Sequence, residues 1–140
     1  MRSDNAGLYL IADQLVWTST ETEGRSVRWF GRTGFSNRHI NDVRYHVGSG
    51  VSLTAPFASR PDDRIGYAFA LASFGEDYRL VNEAAGNSVA SFELAHELTY
   101  RAQAAEWLAL QGELQVIVHP SASLSLPAAV VSGLRIEVAF

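Results

Sequence analysis

Apolar and polar residues alternate along most of this 140-residue chain. The alternation is clearest toward the C-terminus, where the even positions hold Leu108, Leu110, Leu114, Val116 and Val118. A period of two predicts a β-strand with one apolar and one polar face. The runs reach about ten residues, longer than the roughly five or six of most soluble strands and close to the length of a strand that crosses a bilayer at a tilt.

The alternation predicts seven strands and no helix. They cover residues 7–17, 25–36, 43–53, 64–74, 89–104, 108–118 and 128–140. Polar segments with glycine or proline separate them, and the longest such segment is 75–88. The expected fold is all-β: an antiparallel up-and-down meander in a single domain, 1–140. A helix over 93–114 is the alternative, because Ala, Glu and Gln are helix formers, but the period of two persists through this stretch.

The first strand has less regular faces than the others. We assign Tyr9, Ile11, Leu15 and Trp17 to its apolar face, which leaves Asp13 there as an unexplained exception.

Charges lie in the middle of the polar faces, whereas aromatic residues lie toward the ends of the apolar faces. A soluble barrel keeps its apolar face inside, and a membrane barrel turns it outward to lipid. Central charges and long strands favour the membrane arrangement, in which interfacial aromatics form a girdle. The expected lipid-interface aromatics are Trp29, Phe35, Tyr45, Phe92 and Tyr100. The alternative is a soluble β-barrel or β-sandwich that serves as a carbohydrate-binding or interaction module.

The final residue, Phe140, continues the apolar face to the end of the chain. This ending resembles outer-membrane β-barrels, whose last strand ends in an aromatic residue that the barrel-assembly machinery recognises. The resemblance implies that Phe140 is an assembly signal. With Phe140 at the periplasm, we expect 37–42, 76–88 and 119–126 to face outside and 18–24, 55–63 and 105–107 to face the periplasm.

Composition narrows the function further. A formal net charge of −4 disfavours nucleic-acid binding, and the absence of cysteine excludes disulfides and Cys-based zinc sites. The four histidines have no metal-ligand spacing. Glu93 and Glu97 would lie about 13 Å apart along a strand, beyond the separation of a glycosidase pair. We expect no enzyme, no catalytic residues, no metal and no cofactor.

Several short motifs, in order, resemble the C-terminal portion of the carbohydrate-selective porins, the OprB family. The resemblance is densest in ELTYRAQ at 97–103 and WLALQ at 107–111, and it is the order and spacing of the pieces together that is specific. The other pieces are GLY at 7–9, FGR at 30–32, RPDDRIG at 60–66, HP at 119–120 and GLR at 133–135. The resemblance implies a barrel of about sixteen strands in the bacterial outer membrane, through which monosaccharides such as glucose diffuse passively.

Seven strands are under half of such a barrel, and the first residues contain no apolar signal-peptide segment. We therefore expect the chain to be a fragment of a longer porin. The partners that the resemblance implies are permeating sugars, outer-membrane lipid and the barrel-assembly machinery. The resemblance does not decide whether the protein forms a homo-oligomer.

A pore that conducts neutral, hydroxyl-rich sugars needs charged and amide side chains along its wall. The pore-lining candidates are Arg28, Phe30, Arg32, Arg44, His46, Arg64, Glu93, Glu97, Arg101, Gln103, Gln111, Glu113, Gln115, Arg135 and Glu137. Phe30 could stack on a sugar ring. The competing interpretation is that most of these side chains bind one another in cross-strand ladders.

Overall fold

The structure, a computed structural model, describes residues 5–140. They form one antiparallel sheet in which every strand pairs with its sequence neighbours, in the order β1 to β7. The strands are β1 (Gly7–Thr18), β2 (Ser26–Ser36), β3 (Val43–Thr54), β4 (Arg64–Phe74), β5 (Phe92–Ala105), β6 (Leu108–Val118) and β7 (Ala129–Val138). The sheet is not closed within these residues, and β1 and β7 are its two edges. The predicted seven-stranded meander is confirmed.

Some predictions about local structure are wrong. The segment after β4 contains a helix, α1 (Glu76–Ala84), although we expected none. It is only 9 residues long, too short for a clear period, but Glu76 and Asp77 in its first turn favour the positive end of the helix dipole. The fifth strand begins at Phe92 rather than at residue 89, because Val89 instead forms an isolated bridge with Ser123. The alternative helix over 93–114 is also wrong, since β5 and β6 occupy it.

The strand register corrects the faces of β1. Directly opposite residues of antiparallel strands point to the same side of the sheet. Ile11 lies opposite Arg32 and Leu15 opposite Arg28, so the odd positions of β1 share a face with the β2 arginines. Tyr9, Ile11 and Leu15 therefore do not lie on the apolar face. A register shift between Leu15 and Trp17 returns Trp17 to the apolar side, opposite Val27.

This register also explains Asp13, which lies on the same face as Arg28. The Arg28 guanidinium donates a hydrogen bond to the Asp13 carboxylate across the β1–β2 pair. About half of each side chain is exposed, so the pair contributes modestly to stability.

The connections between strands meet at two opposite ends of the sheet. At one end, here called the α1 end, lie 37–42, 75–91 and 119–128; Gly75 N donates to Asp42 O at 2.7 Å and Ala90 N to Ala122 O at 2.7 Å. At the other end, the Asp63 end, lie 19–25, 55–63 and 106–107. These two ends match the grouping of connections expected from the sequence.

Neither face of the sheet is covered by a second layer in the described residues. Large apolar side chains of the edge strands are correspondingly open, with Leu10 62% and Leu134 71% exposed. In water such a face would be a strong aggregation surface. Residues 5–140 contain no helix that is both long and apolar enough to cross a bilayer.

A buried carboxylate, Asp63, ties the β3–β4 connection to β5 at the Asp63 end. Asp63 is 1% exposed and accepts hydrogen bonds from Arg60 Nε at 2.8 Å, Arg60 Nη2 at 3.0 Å, the backbone N of Gln103 at 2.9 Å and the Tyr100 hydroxyl. The connection before β4 is thereby fixed to β5. The hydrogen bond from Arg60 is the main cause that lowers the pKa of Asp63 to about 2.

We predict that Asp63→Asn, in the complete barrel that contains this chain, lowers the free energy of unfolding by about 2 kcal/mol at pH 7. A depressed pKa means that the carboxylate stabilises the fold above its ordinary pKa of 3.8. That stabilisation disappears as the pH falls through about 2, so the two proteins should converge between about pH 4 and pH 2. Urea unfolding followed by tryptophan fluorescence measures both effects.

The matched control is Asp62→Asn, which removes the same charge from the neighbouring exposed residue. It should leave the unfolding free energy within about 0.5 kcal/mol of the parent. Equal losses in the two variants would contradict a specific role for the Asp63 hydrogen bonds.

Candidate functional site

The register brings all but one of the pore-lining candidates to a single face of the sheet. This polar face carries Arg28, Phe30, Arg32, His46, Arg64, Glu93, Glu97, Arg101, Gln103, Gln111, Glu113, Gln115, Arg135 and Glu137. Away from the register shifts the alternation is kept, so each row of opposite residues continues the same face across the sheet. Asp13 and Thr99 also lie on it, and sequence reasoning missed both.

Arg44 is placed apart from the other candidates. It falls in the register shift between Val43 and Tyr45, where the strict alternation of β3 breaks. Its Nε donates to Ser73 Oγ at 2.9 Å, and its guanidinium carbon lies 5.1 Å from the centre of the Tyr45 ring. Ser73 lies opposite Tyr45 on the apolar face. These contacts therefore place the Arg44 side chain with residues of the apolar face and not with those of the polar face.

Glycines lie directly opposite several large side chains of the polar face. A β-carbon added to Gly50 would lie 2.6 Å from Phe30 Cε1, and one added to Gly48 would lie 3.0 Å from Arg32 Nε. The large side chains therefore occupy the room that the glycines leave, and they lie across the neighbouring strand. The opposite pairs are Phe30 with Gly50, Arg32 with Gly48, His46 with Gly34 and Glu113 with Gly133.

Small residues beside these pairs leave a groove along the polar face. One part has a volume of about 260 Å³, with a floor of small residues and polar or aromatic sides. It is lined by Phe30, Arg32, Ala68, Ala70, Ala95, Glu97 and Gln115, among others. A second part of about 300 Å³ shares Phe30, Ala68 and Glu97 with the first and adds Asp13, Arg28, Ser52 and Thr99. We call the two parts together the wall groove.

Some polar-face side chains form cross-strand ladders, as the competing interpretation expects. Gln115 Nε2 donates to Glu97 Oε2 at 2.7 Å, and Arg101 Nη2 donates to Glu137 Oε2 at 2.9 Å. Arg101 reaches from β5 to β7 over Ala109, which is buried.

Other side chains on the same face have no side-chain hydrogen bond to any described residue. The charged ones are Arg32, Arg64, Glu113 and Arg135. A charged group without a protein partner needs water or a solute as its partner. The polar face thus combines fixed ladders with free donors and acceptors, which suits a wetted wall.

The predicted interface aromatics all lie on the apolar face. Phe35 and Tyr45 pair across β2 and β3, with ring centres 6.3 Å apart, near the α1 end, and Phe92 packs edge-on against His119 there. Tyr100 lies near the Asp63 end, where its hydroxyl binds Asp63. Trp29 is the fourth residue of β2, and its indole N–H donates to Ser49 Oγ at 2.9 Å. Their position at a lipid interface remains a prediction.

The apolar face also carries one histidine, His96. Its Nδ1 lies 2.8 Å from the hydroxyl of Tyr67, and the two rings stack with centres 6.1 Å apart. One of the two ring nitrogens of His96 is therefore satisfied by a neighbour on the same face, which lowers the cost of placing the imidazole there.

Known proteins match both the sequence and the fold. Porin B of Pseudomonas aeruginosa is 26% identical over 152 aligned residues, which cover 99% of this chain and 34% of that protein. The high-pH structure of Pseudomonas putida OprB matches with a TM-score of 0.86 and 25% identity, over 96% of this chain and 35% of that one. The chain thus spans about a third of the length of these relatives.

The family comparison covers the whole chain. The family described as "Carbohydrate-selective porin, OprB family" matches residues 1–140. This agrees with the resemblance carried by the short motifs and with the open antiparallel sheet. Members of this family are channels of the bacterial outer membrane, and the chain belongs to the carbohydrate-selective porins of the OprB family.

Proposed function

We propose that the polar face forms part of the wall of a water-filled pore through which neutral carbohydrates, including monosaccharides such as glucose, diffuse passively. One observation carries the proposal: the register collects the charged and amide side chains on one face and leaves the opposite face apolar and uncovered. A membrane barrel needs this arrangement, because lipid surrounds its outside and water fills its inside.

The chemistry of the wall groove suits a sugar. Sugar hydroxyls both donate and accept hydrogen bonds, and the groove offers the Arg32 guanidinium as donor and the Glu97 carboxylate as acceptor. Phe30 supplies an apolar surface in the same groove. Many weak contacts of this kind allow a solute to enter and to leave again, which conduction requires.

The soluble alternative explains the structure less well. A soluble barrel or sandwich would bury its apolar face in a core. Here Leu98 is 49% exposed and Leu114 is 46% exposed in the interior strands β5 and β6. Such a surface is stable against hydrocarbon and unfavourable in water.

A pore requires more strands than the chain provides. Unpaired backbone groups at the edges β1 and β7 would each cost several kcal/mol in hydrocarbon. The proposed pore is therefore the complete barrel of a longer porin, in which other strands pair with both edges. The chain alone should be insoluble without detergent and inactive in sugar transport.

The direct test uses the complete porin in liposomes that are diluted into isotonic glucose. A sugar-conducting pore predicts rapid swelling, whereas liposomes with the chain alone should stay unchanged. A correctly assembled complete porin that conducts ions but admits no neutral sugar would contradict the proposal.

The glycine opposite Arg32 provides a residue-level prediction. Gly48→Ala places a methyl group 3.0 Å from Arg32 Nε and 3.3 Å from the backbone oxygen of Phe69, so the Arg32 side chain must shift by a few tenths of an ångström. A guanidinium displaced toward the lumen narrows it slightly, so we predict a measurable but modest fall in sugar flux in the complete porin. Liposome swelling and single-channel conductance measure the change.

The matched control is Gly112→Ala, where an added β-carbon meets no atom within 4 Å. This residue lies opposite Tyr100 on the apolar face. It should leave flux unaltered. Equal reductions in both variants would mean that the effect does not arise from Arg32.

Phe140 is proposed as the signal for barrel assembly. Its side chain is fully exposed beyond the end of β7, so its loss removes no packing within the described residues. Phe140→Ala in the complete porin should lower the amount assembled in the outer membrane several-fold while total synthesis stays constant. Heat-modifiable gel mobility of membrane fractions distinguishes assembled from unassembled protein, and unchanged assembly would contradict the signal role.

A further inference from the structure

A second recess lies at the α1 end, apart from the wall groove. It has a volume of about 360 Å³, within the range of small-molecule sites, which begins at about 300 Å³. We call it the serine–asparagine pocket, and its polar lining consists of Tyr78, Asn82, Asn87, Ser88, Ser121, Ser123 and Ser125. None of its lining residues carries a charge.

Backbone hydrogen bonds fix the walls of this pocket. Ala90 N donates to Ala122 O at 2.7 Å and Leu124 N donates to Ser88 O at 3.0 Å, which joins the segments on either side of β5 and β6. On the opposite wall, Asn87 N donates to Asn82 O at 3.0 Å at the end of α1. The pocket therefore has a defined shape without a ligand.

Several polar groups of the lining are left open to a ligand. The side chains of Asn87, Ser88 and Ser121 make no hydrogen bond to any described residue. The aromatic ring of Tyr78 is held by stacking on Phe74, with ring centres 5.2 Å apart. Free amides and hydroxyls beside a fixed aromatic ring match the surface of a sugar, which has hydroxyls and apolar C–H faces.

The pocket adjoins the proposed lumen. The backbone N of Ser121 donates to Glu93 Oε2 at 2.6 Å, and Glu93 is on the polar face. Ser121 has a φ of 57° and Ala122 a φ of 58°, a left-handed conformation that residues other than glycine seldom adopt. This unusual turn brings the segment against the rim of the polar face.

We propose that the serine–asparagine pocket is a binding site for a neutral monosaccharide at the mouth of the pore, where sugar collects before it passes along the polar face. The inference rests on the proposed sugar-conducting function and adds to it a saturable site outside the strands. An uncharged lining favours neutral sugars, because it supplies no counter-charge for ions.

The test measures glucose flux against glucose concentration in liposomes that contain the complete porin. We compare the parent with the double variant Asn87→Leu, Ser88→Ala, which removes a free amide and a free hydroxyl. Loss of each hydrogen bond should raise the half-saturating glucose concentration by about two- to tenfold. Flux at saturating glucose and potassium chloride conductance should stay at the parent values.

Ser59→Ala is the matched control, because it makes the same change as Ser88→Ala at an exposed position in a connection of the Asp63 end. It should leave half-saturation unaltered. If the double variant assembles and keeps the parent's half-saturating glucose concentration, the proposed site is overturned and the proposed pore is not. A parent whose glucose flux never saturates has the same consequence. A parent without any glucose flux overturns both. If the double variant does not assemble, the single variants decide by the same criterion.

Discussion

The structure depends on the pairing of backbone N–H and C=O groups in a sheet without a second layer. Hydrocarbon offers these groups no partner, so a chain that crosses a membrane as strands must satisfy them between neighbours. Strands β2 to β6 do so on both sides, whereas β1 and β7 each have a neighbour on one side only. In the described residues no second layer forms a protein core with this sheet. The alternation of apolar and polar side chains instead gives the sheet one face for lipid and one face for water. The apolar face, the polar face and the need for further strands all follow from this constraint.

Within that sheet, the polar face is shaped by the pairing of large residues with glycines. Phe30 and Arg32 lie where a β-carbon of Gly50 or Gly48 would otherwise be, and beside them the alanines of β4 form a low floor. The same strand register fixes the direction of the large side chains and leaves the wall groove open above the small residues. At the Asp63 end a single buried carboxylate joins the β3–β4 connection to β5, and at the α1 end a short helix and a left-handed turn enclose an uncharged pocket.

Much of the fold could be predicted from the sequence, because a period of two in long runs specifies strands and their faces directly. Failures occurred where the period was broken. The sequence assigns Tyr9, Ile11 and Leu15 to the wrong face of β1, because the register shift after Leu15 moves Trp17 to the other side of the sheet. The role of Asp13 becomes clear only from its pairing with Arg28 on the neighbouring strand. The short helix α1 lay in a segment with no period to detect. Partners such as Asp63 and Tyr100 lie 37 positions apart, and no local pattern predicts which residues a register brings together.

The central claim is that the polar face borders water and the apolar face borders lipid. Two adjacent residues in the middle of β5 test it: Glu97 lies on the polar face and Leu98 on the apolar face. This chain has no cysteine, so Glu97→Cys and Leu98→Cys each introduce a single thiol into it. In the complete porin in intact outer membranes, a small membrane-impermeant thiol reagent should label residue 97 and leave residue 98 unlabelled. Labelling at 98 with none at 97 would contradict the account.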